Sequence, residues 1–221
     1  MRFKNRSLAG QSLAKELETY ANRSDVLVLG LPRGGVPVAF EVAKALNAPL
    51  NILVVRKLGV PDQEELAMGA IASGGVRILN ESIISEINIS DEVIARIAVQ
   101  EERELERRER LYRGDRPDTD LQGRTVILVD DGLATGATMW AAVVAVQKQQ
   151  PARIVIAVPI AAPETCKLLA NEVDEVVCIS TPSPFYSVGS WYEDFPQTTD
   201  EEVHNLLAKA ANNYQPLSLG I

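Results

Sequence analysis

The run VILVDDGLATGAT, residues 126–138, decides the fold and points to the chemistry. Four apolar residues, Val126 to Val129, predict a strand buried on both faces, and Asp130 and Asp131 then sit at its carboxyl end, where burial stops and ligands are met. Two adjacent carboxylates there are costly unless sugar hydroxyls or a Mg²⁺ ion stabilise their charge. The small residues that follow, Gly132 to Thr138, let backbone N–H groups converge on an anion at the start of a helix, and Thr135 and Thr138 add hydroxyls. The bland alternative is an Asp turn and a Thr-capped helix. No GxxxxGK[ST] string is present, which disfavours a lysine-bearing nucleotide loop.

Working outward, the same kind of apolar run recurs at 25–31, 51–57, 124–132, 152–160 and 175–181. Helix-like segments alternate with these strands at 36–47, 137–150 and 162–173. This order predicts an α/β fold with an open, doubly wound, mostly parallel sheet flanked by helices, and with ligands at the carboxyl ends of the strands. An excursion from 58 to 122 interrupts it. Residues 66–79 read as a hairpin around Ser73-Gly74-Gly75. Residues 90–113 read as a long charged helix capped by Ser90, taken chiefly as solvated and secondarily as packing on the sheet or a partner subunit. The tail is expected to fray from about Asn212.

The 221 residues, 46% hydrophobic and 24% charged, suit one domain with an insertion and a small C-terminal hood. No stretch nears the roughly 18 to 20 apolar residues of a membrane span and no signal-peptide core opens the chain, so a cytoplasmic location is expected. A net charge of −8 argues against nucleic acid or acidic membranes as partners. Cys166 and Cys178 lack metal-ligand spacing and read as core thiols, and His204, the single histidine, reads as a helix residue with no catalytic part. A phosphatase using a DxDx[TV] nucleophile does not match, because Asp130 and Asp131 are adjacent.

The acidic pair followed by a small-residue TGxT-like loop resembles the hallmark of the type I phosphoribosyltransferases. The resemblance implies that Asp130 and Asp131 hold the ribose hydroxyls of 5-phosphoribosyl-1-pyrophosphate (PRPP) with Mg²⁺, and that Ala134, Thr135, Gly136, Ala137 and Thr138 wrap its 5′-phosphate. Pyrophosphate falls to Arg33, Gly34 and Gly35 in the loop after the first strand, with Lys57 and Mg²⁺ stabilising its departure. Arg56 and Lys57 resemble the basic pair before the family's mobile loop, here LGVPDQEELAMG, in which Glu64 or Glu65 could assist proton transfer. Ala134 stands where hypoxanthine and guanine members carry an aspartate, so the string is closer to adenine-type members.

The hood that reads the acceptor base is expected at 181–197, where Phe185, Tyr186, Trp191, Tyr192 and Phe195 cluster; Trp191 and Tyr192 would stack on a heterocycle, and Asp194 resembles the acid of the family's base pocket. Sealing of a sheet edge or of a subunit interface is the competing role for these rings. The reading is a Mg²⁺-dependent transfer of phosphoribosyl to an N-heterocyclic base, with a homodimer as the candidate assembly. The alternative is a non-catalytic regulatory protein that binds PRPP or a nucleotide.

Overall fold

The computed structural model describes residues 2–61, 63–113 and 120–216, with the backbone alone at 64, 65 and 113. Its centre is a parallel five-stranded sheet in the order β2-β1-β6-β7-β8. The strands are β1 (Val26–Gly30), β2 (Leu50–Ile52), β6 (Thr125–Val129), β7 (Arg153–Ile160) and β8 (Glu175–Ser180). Every residue of β1 and β6 is buried. Alternate side chains feed two cores: Val126 and Leu128 pack with Met139 and Val143, whereas Ile127 and Val129 pack with Leu13 and Val42. Burial on both faces is why these strands read as unbroken apolar runs.

Helices α1 (Arg6–Glu16) and α2 (Gly35–Leu46) cover one face. Helix α1 is hidden behind a polar N-terminal sequence, although Asn5 caps it by accepting from Leu8 N. It lies so close to α2 that a Cβ on Gly10 would sit 2.7 Å from Val38 O. The other face carries α5 (Ala137–Gln147) and α6 (Pro163–Leu169). Helix α5 also touches a second sheet, antiparallel, in the order β3-β4-β5: β3 (Val55–Val60), β4 (Gln63–Ala72) and β5 (Val76–Leu79). Apolar on both sides, α5 is shared by the two sheets.

The expected strand 51–57 is thus two strands of two sheets. After Ile52 the chain leaves β1, and from Val55 it pairs with β4. Buried Ser73 closes the seam: Val54 N donates to Ser73 Oγ (3.0 Å) and Ser73 N to Val54 O (2.9 Å). Periodicity misses this because the backbone stays extended while only its partner changes. The hairpin around Ser73-Gly74-Gly75 forms as expected, and the segment 58–69 is largely the β3–β4 hairpin.

Helix α3 (Glu81–Ile87) leads into α4 (Asp91–Arg113). The solvated reading of α4 needs correction. Ile94, Ala98, Leu105 and Tyr112 form a buried stripe against the second sheet and α7 (Asp200–Asn213), while Glu104 paired with Arg107 and Arg108 faces outward. Those two guanidiniums pull the Glu104 carboxyl down to about 2. Helix α7 continues to Asn213, one residue past the expected onset of fraying, and carries exposed His204. Cys166 and Cys178 are free thiols packed against the main core. No helix among the described residues is long and apolar enough to cross a membrane.

Candidate functional site

The chain runs from β1 to β2 in one direction and from β6 to β8 in the other, so the strand order reverses between β1 and β6. Ligands of open α/β sheets bind outside the carboxyl ends of strands at such a reversal. Gly30 is in register with Val129, so the two turns that follow, Pro32-Arg33-Gly34-Gly35 and Asp130-Asp131, lie side by side. Their contact is tight. A Cβ on Gly34 would overlap Asp131 Oδ2, and one on Gly35 would stand 2.8 Å from Asp130 Cα. The Pro32–Arg33 peptide is cis.

Asp130 and Asp131 are half-buried, and Asp131 N donates to Asp130 Oδ1 (2.8 Å). Burial, and after it the charge of Asp131, pushes the Asp130 carboxyl well above the usual carboxylate range. Burial also raises Asp131, an effect partly offset by Arg6, whose Nε donates to Asp131 Oδ2 at 2.8 Å. Tyr192 Oη donates to Asp131 O (2.6 Å).

The expected phosphate loop leaves the acidic pair and enters α5. Thr165 Oγ1 of α6 ties it down by donating to Ala134 O (2.5 Å), and Gly136 caps α5 with φ 73°, a left-handed conformation that glycine tolerates. Ala134, Thr135, Ala137 and Thr138 are exposed and Gly136 half-buried, so the loop is open to solvent. A cavity of 280 Å³ lies between it and the second sheet; Lys57, Asn80, Thr135, Thr138 and Trp140 are among its lining residues.

The basic pair divides. Successive residues of a strand face opposite ways, and Lys57 faces this cavity while Arg56 turns to α4 and binds Glu101 (2.6 Å). Arg56 is therefore removed from the expected substrate contacts. The side chains of Glu64 and Glu65 lie outside the described residues.

The hood at 181–197 is stapled to the N-terminal segment. Phe3 N donates to Trp191 O (2.8 Å), Glu193 N to Phe3 O (2.9 Å) and Asp194 N to Lys4 O (3.0 Å). Tyr192 is 2% exposed, its ring set beside Phe3 and Phe195, so a stacking role is replaced by support of Asp131. Trp191 is half-buried beside Phe185, and its Nε1 finds no acceptor among the described residues. Asp194 and Tyr186 are exposed.

Three contributors escape a reading of the sequence. Arg6 lies 125 residues from its partner Asp131. Asp200, at the start of α7, accepts from Tyr112 Oη of α4 (2.6 Å) and from Arg33 Nη1 (3.5 Å). Tyr112 and Asp200 fall in segments whose polar residues look like solvated helix surface, and no local spacing marks a contact that only packing of α4 on α7 creates. No cluster of three or more acidic, cysteine or histidine residues able to hold a metal occurs among the described residues.

Residues 3–193 match the model of the phosphoribosyl transferase domain. The chain is similar to a provisionally named phosphoribosyl transferase of Mycobacterium tuberculosis (strain H37Rv), with 45% identity over 212 residues, 96% of this chain and 48% of that protein. The chain thus spans about half the length of the curated relative it matches. The crystal structure of TT1426 from Thermus thermophilus superposes with a TM-score of 0.83 at 42% identity, covering 95% of this chain and 99% of that one. The AQ2163 protein of Aquifex aeolicus shares the fold, with a TM-score of 0.51 at 15% identity over 91% of this chain and 84% of its own.

Proposed function

Since the chain belongs to the type I phosphoribosyltransferase family, we propose that it transfers the phosphoribosyl group of PRPP to an N-heterocyclic base, releasing pyrophosphate with inversion at C1. One observation carries this reading: the glycine turn after β1 abuts the acidic pair after β6, leaving no room for a side chain between them. A group bridging sugar and pyrophosphate meets both turns at once.

Cleavage at C1 develops positive charge on the sugar and negative charge on the leaving group. Asp130 and Asp131 accept from the ribose hydroxyls and stabilise the cationic side. The open loop Ala134 to Thr138 at the start of α5 takes the 5′-phosphate, with Lys57 across the cavity. Arg33, carried by the turn beside the acidic pair and paired with Asp200, is assigned to departing pyrophosphate, an electrostatic role that needs no covalent intermediate. No protein nucleophile is assigned.

A Mg²⁺ ion fits this donor set when it takes one or two carboxylates and fills its remaining positions with water and phosphate oxygens, its usual habit. Asp130 and Asp131 would hold it, and bound there it would supply charge neutralisation to the pyrophosphate. Arg6 already offsets part of the pair's charge.

Ala134 offers no proton-transfer group to a base, and the hood supplies the acceptor's ring contacts through Trp191. The test is release of pyrophosphate from PRPP and Mg²⁺ with a panel of bases, adenine set against hypoxanthine and guanine. Absence of turnover with every base despite tight PRPP binding would overturn the enzymatic reading in favour of a nucleotide-binding regulator.

A further inference from the structure

Asp131 is held from four directions. Its N–H is bound to Asp130 Oδ1, its carbonyl accepts from Tyr192 Oη, its Oδ2 accepts from Arg6, and Gly34 closes the space beyond that oxygen. The backbone of Asp131 is pinned by the first two contacts and its Oδ2 by the other two. Among the described residues no side chain but Arg6 donates to this carboxylate, so one oxygen is spent on the guanidinium and the other is left for a ligand.

The guanidinium is itself clamped. Arg6 Nη1 donates to Pro196 O (2.7 Å), and its Cζ stands 3.7 Å above the Phe195 ring. Phe195 stacks on Tyr192 at 4.8 Å between ring centres, and Tyr192 returns to Asp131 through its hydroxyl. The circuit Asp131, Arg6, Phe195, Tyr192 is closed, and three of its members come from the N-terminal segment or the hood. Arginine suits the position because a planar fork bonds in two directions while stacking on a ring, which an ammonium does not.

We propose that Arg6 is the positioning residue for sugar recognition: it occupies one oxygen of Asp131, aims the other at a ribose hydroxyl, and makes that recognition depend on the hood. The inference rests on the reading of the acidic pair as the ribose site. A phosphoribosyl donor or nucleotide would be distinguished from its deoxy counterpart through Arg6, although Arg6 touches neither.

The test measures affinities of the whole chain for ribose 5-phosphate, 2-deoxyribose 5-phosphate, 3-deoxyribose 5-phosphate and inorganic phosphate, before and after Arg6→Met and Arg6→Lys. The wild type should prefer ribose 5-phosphate over at least one deoxy sugar by about tenfold, the weight of one hydrogen bond to a charged group. In Arg6→Met that preference should fall to within about twofold, with phosphate affinity unchanged. Should Arg6→Met not fold, Arg6→Lys is expected to lose at least about threefold of the preference, since an ammonium has no planar face to stack on Phe195 while bonding Asp131 and Pro196. A wild-type preference that survives in the folded variants overturns the role of Arg6 alone. A wild type indifferent to the hydroxyls overturns the ribose reading and this inference together.

Discussion

Tyr112 donates a 2.6 Å hydrogen bond to Asp200, and through that carboxylate the long charged helix α4 reaches Arg33 in the turn beside the acidic pair. Burial, and after it the Asp200 carboxylate, pushes the Tyr112 phenol up to about 12, whereas the Tyr112 hydroxyl draws Asp200 down. Tyr112→Phe removes the bond and keeps the packing. Stability should fall by about 1–2 kcal/mol and PRPP affinity by about threefold to tenfold, because Arg33 loses the fixed carboxylate that orients it. Chemical denaturation and donor titration measure the two. Lost stability with unaltered affinity would make the bond a packing device only.

Asp130→Asn should separate stability from function. The raised Asp130 carboxyl means that the folded protein favours its protonated form, so this group supports the fold below the ordinary carboxylate range and disfavours it as pH climbs through the raised value. Asparagine lacks that cost and still accepts from Asp131 N. The variant should be more stable than the wild type at pH 7.5, with the gap closing towards pH 4, while PRPP binding is lost. Calorimetry at both pH values decides it. A less stable variant at pH 7.5 contradicts the buried-charge account.

The two members of the basic pair should respond differently. Lys57→Ala is expected to lower kcat/KM by about 10- to 100-fold with stability kept, since its side chain faces the cavity lined by Thr135 and Thr138. Arg56→Ala should cost about 1 kcal/mol of stability through unpaired Glu101 and leave turnover within about threefold. Steady-state kinetics and unfolding of both variants measure this, and the reverse pattern would mean that the faces of β3 are misassigned.

Two glycines make a matched comparison. Gly34→Ala forces a methyl onto Asp131 Oδ2, which should cost about 1–3 kcal/mol and weaken PRPP binding by more than about tenfold. Gly75 has φ 72° and open space around it, so Gly75→Ala should strain the turn by about 1 kcal/mol and leave PRPP binding unchanged. Equal binding loss in both would show that backbone strain, and not proximity to the acidic pair, governs the effect.

The legible parts of this protein are those in which neighbours in sequence are neighbours in space. Val126 to Thr138 makes its own strand, turn and helix start, and the run carries its meaning alone. The turn 32–35 is legible because β1 is a buried strand with glycines after it. What escapes is pairing at a distance. Nothing around Arg6 announces Asp131, and nothing near Tyr112 announces Asp200, because those contacts exist only once helices are packed. Tyr192 illustrates a further loss: composition locates the aromatic cluster, but which rings turn inward depends on the partner strand supplied by Phe3. The division of 51–57 between two sheets is hidden because extended backbone carries no mark of its partner.

Helix α5 is walled in by both sheets, so the loop 134–138 at its head inherits a position that neither sheet can alter without disturbing the other. Diversification within this architecture is therefore channelled. The hood hangs at the rim on Phe3 and Arg6, and its exposed residues, Tyr186 and Asp194 among them, can be exchanged without repacking the interior. Variation is directed to the outer face of the hood, while the acidic pair and the loop at the head of α5 are fixed by construction.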